Sequence, residues 1–450
     1  MKNNARLLAA IEALEAIEAT DRPADRVVDR YLKNRRFIGS GDRGAILNRV
    51  WGLVRRRARL DWLIKEHARK LGRTPRGMVL ADLMLTDGFD MPRIGEMFDG
   101  SKYAPSNLNK DEADGLRRLV GKSLDDPDMP VHVRLECPPA LWPLLEAVYG
   151  DQTEAALTAM GTEAPFDIRI NTLSGVSRED AIAALTQQNI PVVPSPLSPL
   201  GMRFDRRRPV DPLELFRNGA IEVQDEGSQL AALLVDAQPG MTVVDYCAGA
   251  GGKGLVLAAC MRNKGRLLLT DTSEARIKRA TVRIRRAGVQ NAERRVLADG
   301  DKTVKRLAGK ADRVLIDAPC TGTGTWRRNP DAKWRYGPEE VAEIVTLQRE
   351  ILDTAARMVA PGGRAIYVTC SVLAEENEAV VEAFLASHDQ FFVRPIAEVW
   401  AETVAAQGGT AGCPTGAPFL RLSPHLHDTD GFFVAVLERR PAEKAAAEHN

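Results

Sequence analysis

No apolar run in this chain approaches the roughly 20 residues that a membrane-spanning helix needs, so a membrane partner is not expected. The opening MKNNARLLAAIEALEAIEAT has glutamates interrupting its apolar stripe, which makes it an amphipathic helix and not a signal peptide. Cysteine is scarce. The six present are widely and irregularly spaced with no CxxC pair, which argues against a zinc cluster and a disulfide framework and points to the cytoplasm. His425 and His427 in PHLHDTDGFF form a solitary HxH that reads as a turn, so no metal is expected. No internal repeat is apparent. A dominant charge is missing too, since the net charge is only +1. That balance hides an asymmetry, because residues 1–70 carry about eight positive charges in excess and residues 71–165 nearly cancel them.

What is present is a change of texture along 450 residues, a length that favours about three domains. Residues 1–150 carry helical periodicity in LLAAIEALEAIEAT, ADRVVDRYLKNR, GAILNRVWGLVRRRARLDWLI and MVLADLMLTDGF, without strand-like alternation, and predict an all-α domain. Its arginines Arg55, Arg56, Arg57 and Arg59 form either a phosphate-contacting face or a solvated one. A stretch rich in Asp, Asn, Lys and Pro over residues 99–130 is expected to be a loop. Residues 160–235 alternate in FDIRINTL, carry a Ser-capped helix in SREDAIAALTQQ and add short strands in PVVPSPL and GMRFD, predicting a small α+β insert. IEVQDEGSQLAALLVDAQPG then leads through a helix into residues 236–440. There strands and helices alternate regularly, the pattern of a doubly wound, Rossmann-like parallel α/β sheet.

Two strand ends draw attention. VLIDAPCTGTGT is a buried run that stops at Asp317 and opens into a loop with Cys320, and GGRAIYVTCSV stops at Cys370. Between them PEEVAEIVTLQREILDTAARMVAPGG has helical periodicity, which makes a βαβ crossover. If those strands are neighbours, roughly 4.8 Å apart, both sulfurs reach the crevice at the strands' carboxyl ends, where ligands bind in such sheets.

A glycine loop supplies a second element. Gly249, Gly251 and Gly254 satisfy GxGxxG between a strand and a helix, with Asp271 about twenty residues on, so a nicotinamide dehydrogenase must be considered. S-adenosylmethionine has the same two needs, close backbone approach and an acid at a ribose, and a plain tight turn would also use these glycines. A P-loop is excluded, because no glycine precedes Gly252-Lys253 at the required distance and Gly254 stands where magnesium would need Ser or Thr.

The cysteines separate the remaining cofactors, since a hydride enzyme has no use for two thiols on adjacent strand ends. Methylation of a pyrimidine does have such a use. Carbon 5 of cytosine is a poor nucleophile until a thiolate adds to carbon 6. The thiolate needs a positive neighbour, for which Lys253, Arg327 and Arg328 are candidates, and Asp317 could hydrogen-bond the base. A second cysteine could assist release of the product. Cys137, Cys260 and Cys413 read as small buried hydrophobes. Cys247 is expected to touch cofactor through its backbone only.

DYCAGAGGKG, TDTSEARIKRA, LADGD, DAPCTGTGTWRRNPDAKW, YVTCSVLAEENEAVV and DGFFVAVLERR resemble the successive motifs of the RsmB/NOP/Sun family of RNA cytosine-5 methyltransferases. FDIRINTL and VQDEGSQL resemble its RNA-binding insert, and the helical start, above all SGDRGAILNRVWGLVRRRARLDWLI, is similar to a NusB-like domain. The resemblance implies that Cys370 is the nucleophile and that Cys320 promotes release of methylated RNA. It implies S-adenosylmethionine contacts from Cys247, Ala248, Gly249, Ala250, Gly251, Gly252 and Lys253. It further implies Asp271 at the ribose, Asp299 near the adenine, Asp317 near the methionine end and the base, and Arg276 facing the cofactor. Two positions depart from the family pattern: Ala250 stands where Pro is common and Gly254 where Thr is common, which bears on cofactor affinity.

Basic residues from Arg276 to Arg295 are expected to hold phosphates, and Arg169 and Asn171 to touch the RNA strand. The expected function is therefore methylation of a cytosine in RNA, most simply small-subunit ribosomal RNA, by a cytoplasmic monomer that acts on neither DNA nor membranes. A tRNA methyltransferase and a non-catalytic RNA-binding assembly factor are the alternatives. Methyl incorporation from labelled cofactor separates the last from the others.

Overall fold

The structure, a computed structural model, describes residues 1–298, 301–410, 412–416 and 418–441. It divides into two compact units, one of Met1–Thr162 with Trp326–Pro338 and one of Glu163–Thr325 with Glu339–Asn450. The chain therefore leaves the second unit just after the Cys320 loop and returns to it in the following helix.

The first unit is helical. Helices α1 (Asn3–Glu18), α2 (Ala24–Lys33), α3 (Ser40–Arg55), α4 (Arg57–His67), α5 (Pro75–Leu85), α6 (Met91–Met97) and α7 (Lys110–Leu119) carry its core. The apolar stripe of α1 buries Leu7, Ala10, Ile11 and Leu14, the i, i+3, i+4, i+7 spacing of one helix face. Those side chains pack with Val50, Leu53, Leu60, Ile64 and Val79 in one cluster. Helix α5 starts where the Thr74 hydroxyl accepts the Gly77 N–H at 3.1 Å, with Pro75 in the first turn. Helix α7 lies inside the stretch 99–130 that composition predicts as loop. Its start is fixed by a capping box, in which Asn109 accepts the Glu112 N–H at 2.8 Å and Glu112 accepts the Asn109 N–H at 3.0 Å. The polar residues that suggested a loop are thus the cap and the solvent face of a helix.

In the second unit, β1 (Phe166–Ile170), β2 (Val192–Pro194), β3 (Gly201–Phe204) and β4 (Ile221–Val223) form a small antiparallel sheet in the order β2-β3-β1-β4. The sequence does not announce β4, because three residues are too few to show alternation.

The larger sheet contains β5 (Thr242–Asp245), β6 (Arg266–Asp271), β7 (Ala292–Val296), β8 (Ala311–Asp317), β9 (Val359–Thr369), β10 (Phe391–Val393), β11 (Leu420–Leu422) and β12 (Phe432–Arg439). Its order is β10-β12-β9-β8-β5-β6-β7, with β11 also on β12. The strands from β5 to β9 are parallel, as the alternation of elements predicts. Strands β10, β11 and β12 pair antiparallel and add an edge of mixed direction to the doubly wound sheet. Hydrophobic pattern does not encode strand direction, and an antiparallel return needs no crossover helix.

Strands buried on both faces read as continuous apolar runs. In β8, Val314 and Ile316 join one cluster and Leu315 the other, which lies on the opposite face of the sheet. From β5 the connections run outward in one direction through β6 and β7 and in the other through β8 and β9. The switch point therefore falls between β5 and β8, where Asp245 and Asp317 end their strands. Among the described residues no helix is long and apolar enough to cross a membrane.

Candidate active site

The glycine loop follows β5. Gly249 and Gly251 have φ of +56° and +80°, a region open to glycine at no steric cost, and Gly251 caps the helix Gly252–Cys260. At the end of β6 the buried Asp271 accepts the Gly249 N–H at 3.0 Å and the Ser273 N–H at 2.7 Å, and Arg276 Nη1 stands 3.6 Å from it. Ala248 is fixed by its N–H to the Thr270 carbonyl at 2.8 Å. The loop carbonyls are held from behind. Arg283 donates to Ala250 at 3.1 Å, and Arg169 reaches the Gly252 carbonyl at 3.5 Å. These two bonds anchor a loop that lacks the usual proline. Burial pushes the Cys247 thiol well up, so it is no nucleophile. Asp299 lies outside the described residues.

At the switch point Asp245 is almost wholly buried, and among the described residues only the Gly254 backbone N–H donates toward its carboxylate, too weakly to count as a full hydrogen bond. Burial first, and the neighbouring Asp317 charge second, push its pKa up to about 8. A Cβ at Gly254 would lie 3.2 Å from Asp245 Oδ2 but 2.5 Å from a Leu269 methyl, so Leu269 fills the place that a threonine would occupy. A cationic ligand in the open glycine loop, as a methylsulfonium is, would favour loss of the Asp245 proton and turn a neutral acid into its counter-ion.

On the other side of the switch point, Lys253 Nζ donates to Asp317 Oδ2 at 2.7 Å. Burial alone would lower the lysine pKa, but the Asp317 charge and hydrogen bond, with Cys370 close by, leave it raised. Lys253 thus stays a cation next to Cys370. The Cys320 and Cys370 sulfurs are 3.4 Å apart, a thiol–thiol hydrogen bond and not a disulfide, whose sulfurs sit about 2.05 Å apart. The hydrogen bond to Cys370, then burial, raises the Cys320 thiol well above its ordinary value, so Cys320 keeps its proton.

What holds the two cysteine loops together is a residue that sequence reasoning missed. Glu376 is fully buried and accepts the Thr321 N–H at 2.9 Å, the Thr321 hydroxyl, the Ser371 hydroxyl and Gln348 Nε2 at 2.9 Å. Gln348, on the crossover helix, also donates to the Pro319 carbonyl at 2.9 Å, and Thr323 bonds Ser371 at 2.9 Å. One carboxylate therefore joins the residue after Cys320 to the residue after Cys370. Glu376 lies within the quoted motif YVTCSVLAEENEAVV, six residues after Cys370. Its spacing alone does not say that it turns inward.

Several residues assigned to RNA are engaged inside the protein. Arg56 pairs with the buried Asp82 at 2.7 Å, Arg59 with Glu136 at 3.0 Å and Asp125 at 2.8 Å, and Arg55 donates to the Arg327 carbonyl at 3.2 Å. Arg55, Arg56 and Arg59 are thus spent on internal partners, while Arg57 is half-buried and lies 5.8 Å from the Trp334 ring centroid. Arg169 is buried with its pKa lowered to about 10 by burial, and donates to Gln224 at 2.5 Å. Asn171 donates to the Gly219 and Ala287 carbonyls, each at 2.9 Å. Neither can touch a strand of RNA. Within the run from Arg276 to Arg295, Arg286 pairs with Glu222 at 2.6 Å and Arg283 stands 3.5 Å from it. Arg327 is buried in the segment Trp326–Pro338 that belongs with the helical unit, and Lys253 is a cation close to Cys370.

Comparison with known proteins finds relatives along nearly the whole chain. A family model for 16S rRNA methyltransferases RsmB/F matches residues 232–438, and a ferredoxin-like domain model of RsmF/B-like methyltransferases matches residues 138–211. A probable ribosomal RNA small subunit methyltransferase B from Synechocystis is 30% identical over 97% of this chain and 99% of its own length. A ribosomal RNA small subunit methyltransferase B from Yersinia pseudotuberculosis is 28% identical over 98% of this chain and all of its own. The crystal structure of PH0851 superposes with a TM-score of 0.78 at 28% identity, covering 98% of this chain and 99% of that one.

Proposed function

Because the chain belongs to the RsmB/F family of rRNA methyltransferases, we propose that it methylates carbon 5 of a cytosine in small-subunit ribosomal RNA through a covalent adduct with Cys370. The cofactor is S-adenosylmethionine, which supplies the methyl group as an electrophilic sulfonium. Residues 247–253, Asp271, Arg276 and Asp317 would hold it, and Asp299 completes the set by resemblance. In this reading residues 236–440 are catalytic, and residues 1–150 and 160–235 bind RNA.

The observation that carries the proposal is the pair of sulfurs 3.4 Å apart, with the proton retained by Cys320 and a buried lysine cation near Cys370. Cys370 Sγ, having lost its proton to solvent, forms a bond to carbon 6 of the ring, and the electrons of the carbon 5–carbon 6 double bond pass to carbon 5. Carbon 5 would then take the methyl carbon as that carbon's bond to the sulfonium sulfur breaks and S-adenosylhomocysteine leaves. Asp317, held by Lys253 at 2.7 Å, would accept a hydrogen bond from the polar edge of the base. After methylation the proton on carbon 5 leaves and the sulfur–carbon 6 bond breaks. Cys320, beside the bonded sulfur, promotes that release. If the target is stacked or paired, flipping it out costs a few kcal/mol, which RNA contacts must offset.

The direct test is methyl incorporation. Purified protein with labelled cofactor is expected to modify small-subunit ribosomal RNA, and bisulfite sequencing of RNA from cells with and without the gene should show one cytosine losing protection. Label in transfer RNA instead would move the substrate. RNA binding without any label would leave an assembly factor.

A further inference from the structure

Aromatic residues are few here, only 5% of the chain, and most are buried or half-buried. Among the described residues, two large aromatic side chains are exposed, Phe37 at 76% and Tyr103 at 66%. Both line the same cleft in the helical unit, a cavity of about 730 Å³ between α1, the turn after α2 and the loop after α6. That volume is in the range of ligand sites, roughly 300–1,000 Å³. Lys2, Arg35 and Lys102 line it as well. The acid that lines it, Glu12, is already engaged, accepting from Tyr31 at 2.6 Å and from Arg35 at 3.1 Å.

The loop that carries Tyr103 is built and not loose. Asp99 accepts the Ser101 N–H at 2.9 Å, Ser101 the Ala104 N–H at 2.9 Å and Pro105 the Gly100 N–H at 3.0 Å. These bonds hold Tyr103 at φ +71°, a backbone region that a bulky residue rarely enters. A strained backbone therefore presents an exposed ring. Cations already lie over rings in the cleft, Arg35 at 3.8 Å from the Tyr31 centroid and Lys102 at 5.1 Å from that of Tyr103.

We infer that this cleft is a single-stranded RNA platform, on which Phe37 and Tyr103 stack bases while Lys2 and Lys102 hold the flanking phosphates. Flat rings interleaved with cations are what single-stranded nucleic acid requires, since every base has a stacking face whatever its sequence. An acidic peptide would satisfy the cations but gains nothing particular from flat rings. The inference rests on RNA being the substrate. It concerns the helical unit and not the unit that carries the cysteines, and assigns to the cleft a grip that Arg55, Arg56 and Arg59, spent on internal partners, do not provide.

The test uses the full chain and a fluorescent twelve-nucleotide oligoadenylate, which offers no cytosine to the methylation site. Replacing Phe37 and Tyr103 together by leucine keeps apolar bulk and removes the flat rings. Affinity should fall at least tenfold by anisotropy, whereas Phe37→Trp with Tyr103→Trp should keep it. Lys2→Ala and Lys102→Ala should each flatten the slope of log affinity against log salt by roughly 0.7. Both aromatic side chains are exposed, so unfolding curves should match wild type. Unchanged oligoadenylate affinity in the leucine pair overturns the platform. So does a pattern in which that pair binds RNA normally but loses association with ribosomal particles, which would make the occupant a protein. Methyl incorporation by the wild type is read separately. Label in ribosomal RNA together with normal binding by the leucine pair sinks the platform alone, while no label together with lost binding sinks the reaction and leaves the platform.

Discussion

The two sides of the crevice are made of different material. On the side of β5 and β6 the working groups are backbone amides of the glycine loop, an acid that accepts two of the local N–H groups, and a second, buried acid faced by the Gly254 backbone. On the side of β8 and β9 they are side chains: two thiols, a lysine–aspartate pair and a buried glutamate that bonds both cysteine loops. The first side is shaped to receive a ligand. The second is shaped to hold reacting atoms in register. Damage should therefore appear as lost affinity for cofactor on one side and as lost turnover on the other.

Cys370→Ala breaks the comparison at its strongest point. Methyl transfer should fall on the order of 10⁴-fold or more, with cofactor binding by calorimetry unchanged. Full turnover in that variant would remove the nucleophile from the account. Glu376→Gln is next. It replaces an acceptor of the Thr321 N–H or of a hydroxyl by a donor, so the cysteine loops lose register, and kcat should drop about 10- to 100-fold at unchanged cofactor KM. A purely structural role for Glu376 would instead lower yield and Tm with normal kcat per folded molecule. Asp271→Ala sharpens the contrast from the other side, raising the cofactor KM about tenfold or more with kcat at saturation kept within a few-fold. An equal fall in kcat would erase the distinction.

The smallest effect belongs to Asp245. Its folded pKa of about 8 lies above the unfolded value near 3.9, so the folded state binds the extra proton between those two limits. Stability from this group is complete below about pH 4 and declines as pH rises toward 8. Asp245→Asn removes the decline. The variant's Tm should exceed that of wild type by a few degrees at pH 8.5, and the gap should shrink as pH falls toward 5. A gap that does not change with pH would mean that Asp245 is charged throughout.

What could be read from the sequence follows how local each signal is. Gly249, Gly251 and Asp271 are tied by a strand–loop–helix unit of some twenty residues, so spacing alone placed them. Cys320 and Cys370 are fifty residues apart in sequence, yet each ends a recognisable buried strand, and the βαβ rule made them neighbours. Glu376 and Asp245 were not legible as parts of the site, because a carboxylate's direction depends on what packs around it. The arginines misled for the same reason. A run of positive charge looks alike whether it faces water or, as with Arg56 and Arg59, pairs with buried acids such as Asp82 and Glu136 brought in from elsewhere in the chain. Helix α7 was hidden by its own polar cap and the β12 edge by the silence of hydrophobic pattern about strand direction.

The division of labour between the sulfurs admits one direct measurement. Cys320→Ser protein is incubated with small-subunit ribosomal RNA and cofactor, then run on a denaturing gel. If Cys370 attacks and Cys320 releases, a covalent protein–RNA band should accumulate that is absent with wild type and absent again in the Cys320→Ser, Cys370→Ala double variant. A band that survives loss of Cys370, or appears only when Cys370 alone is replaced, would reverse the roles assigned to the two thiols.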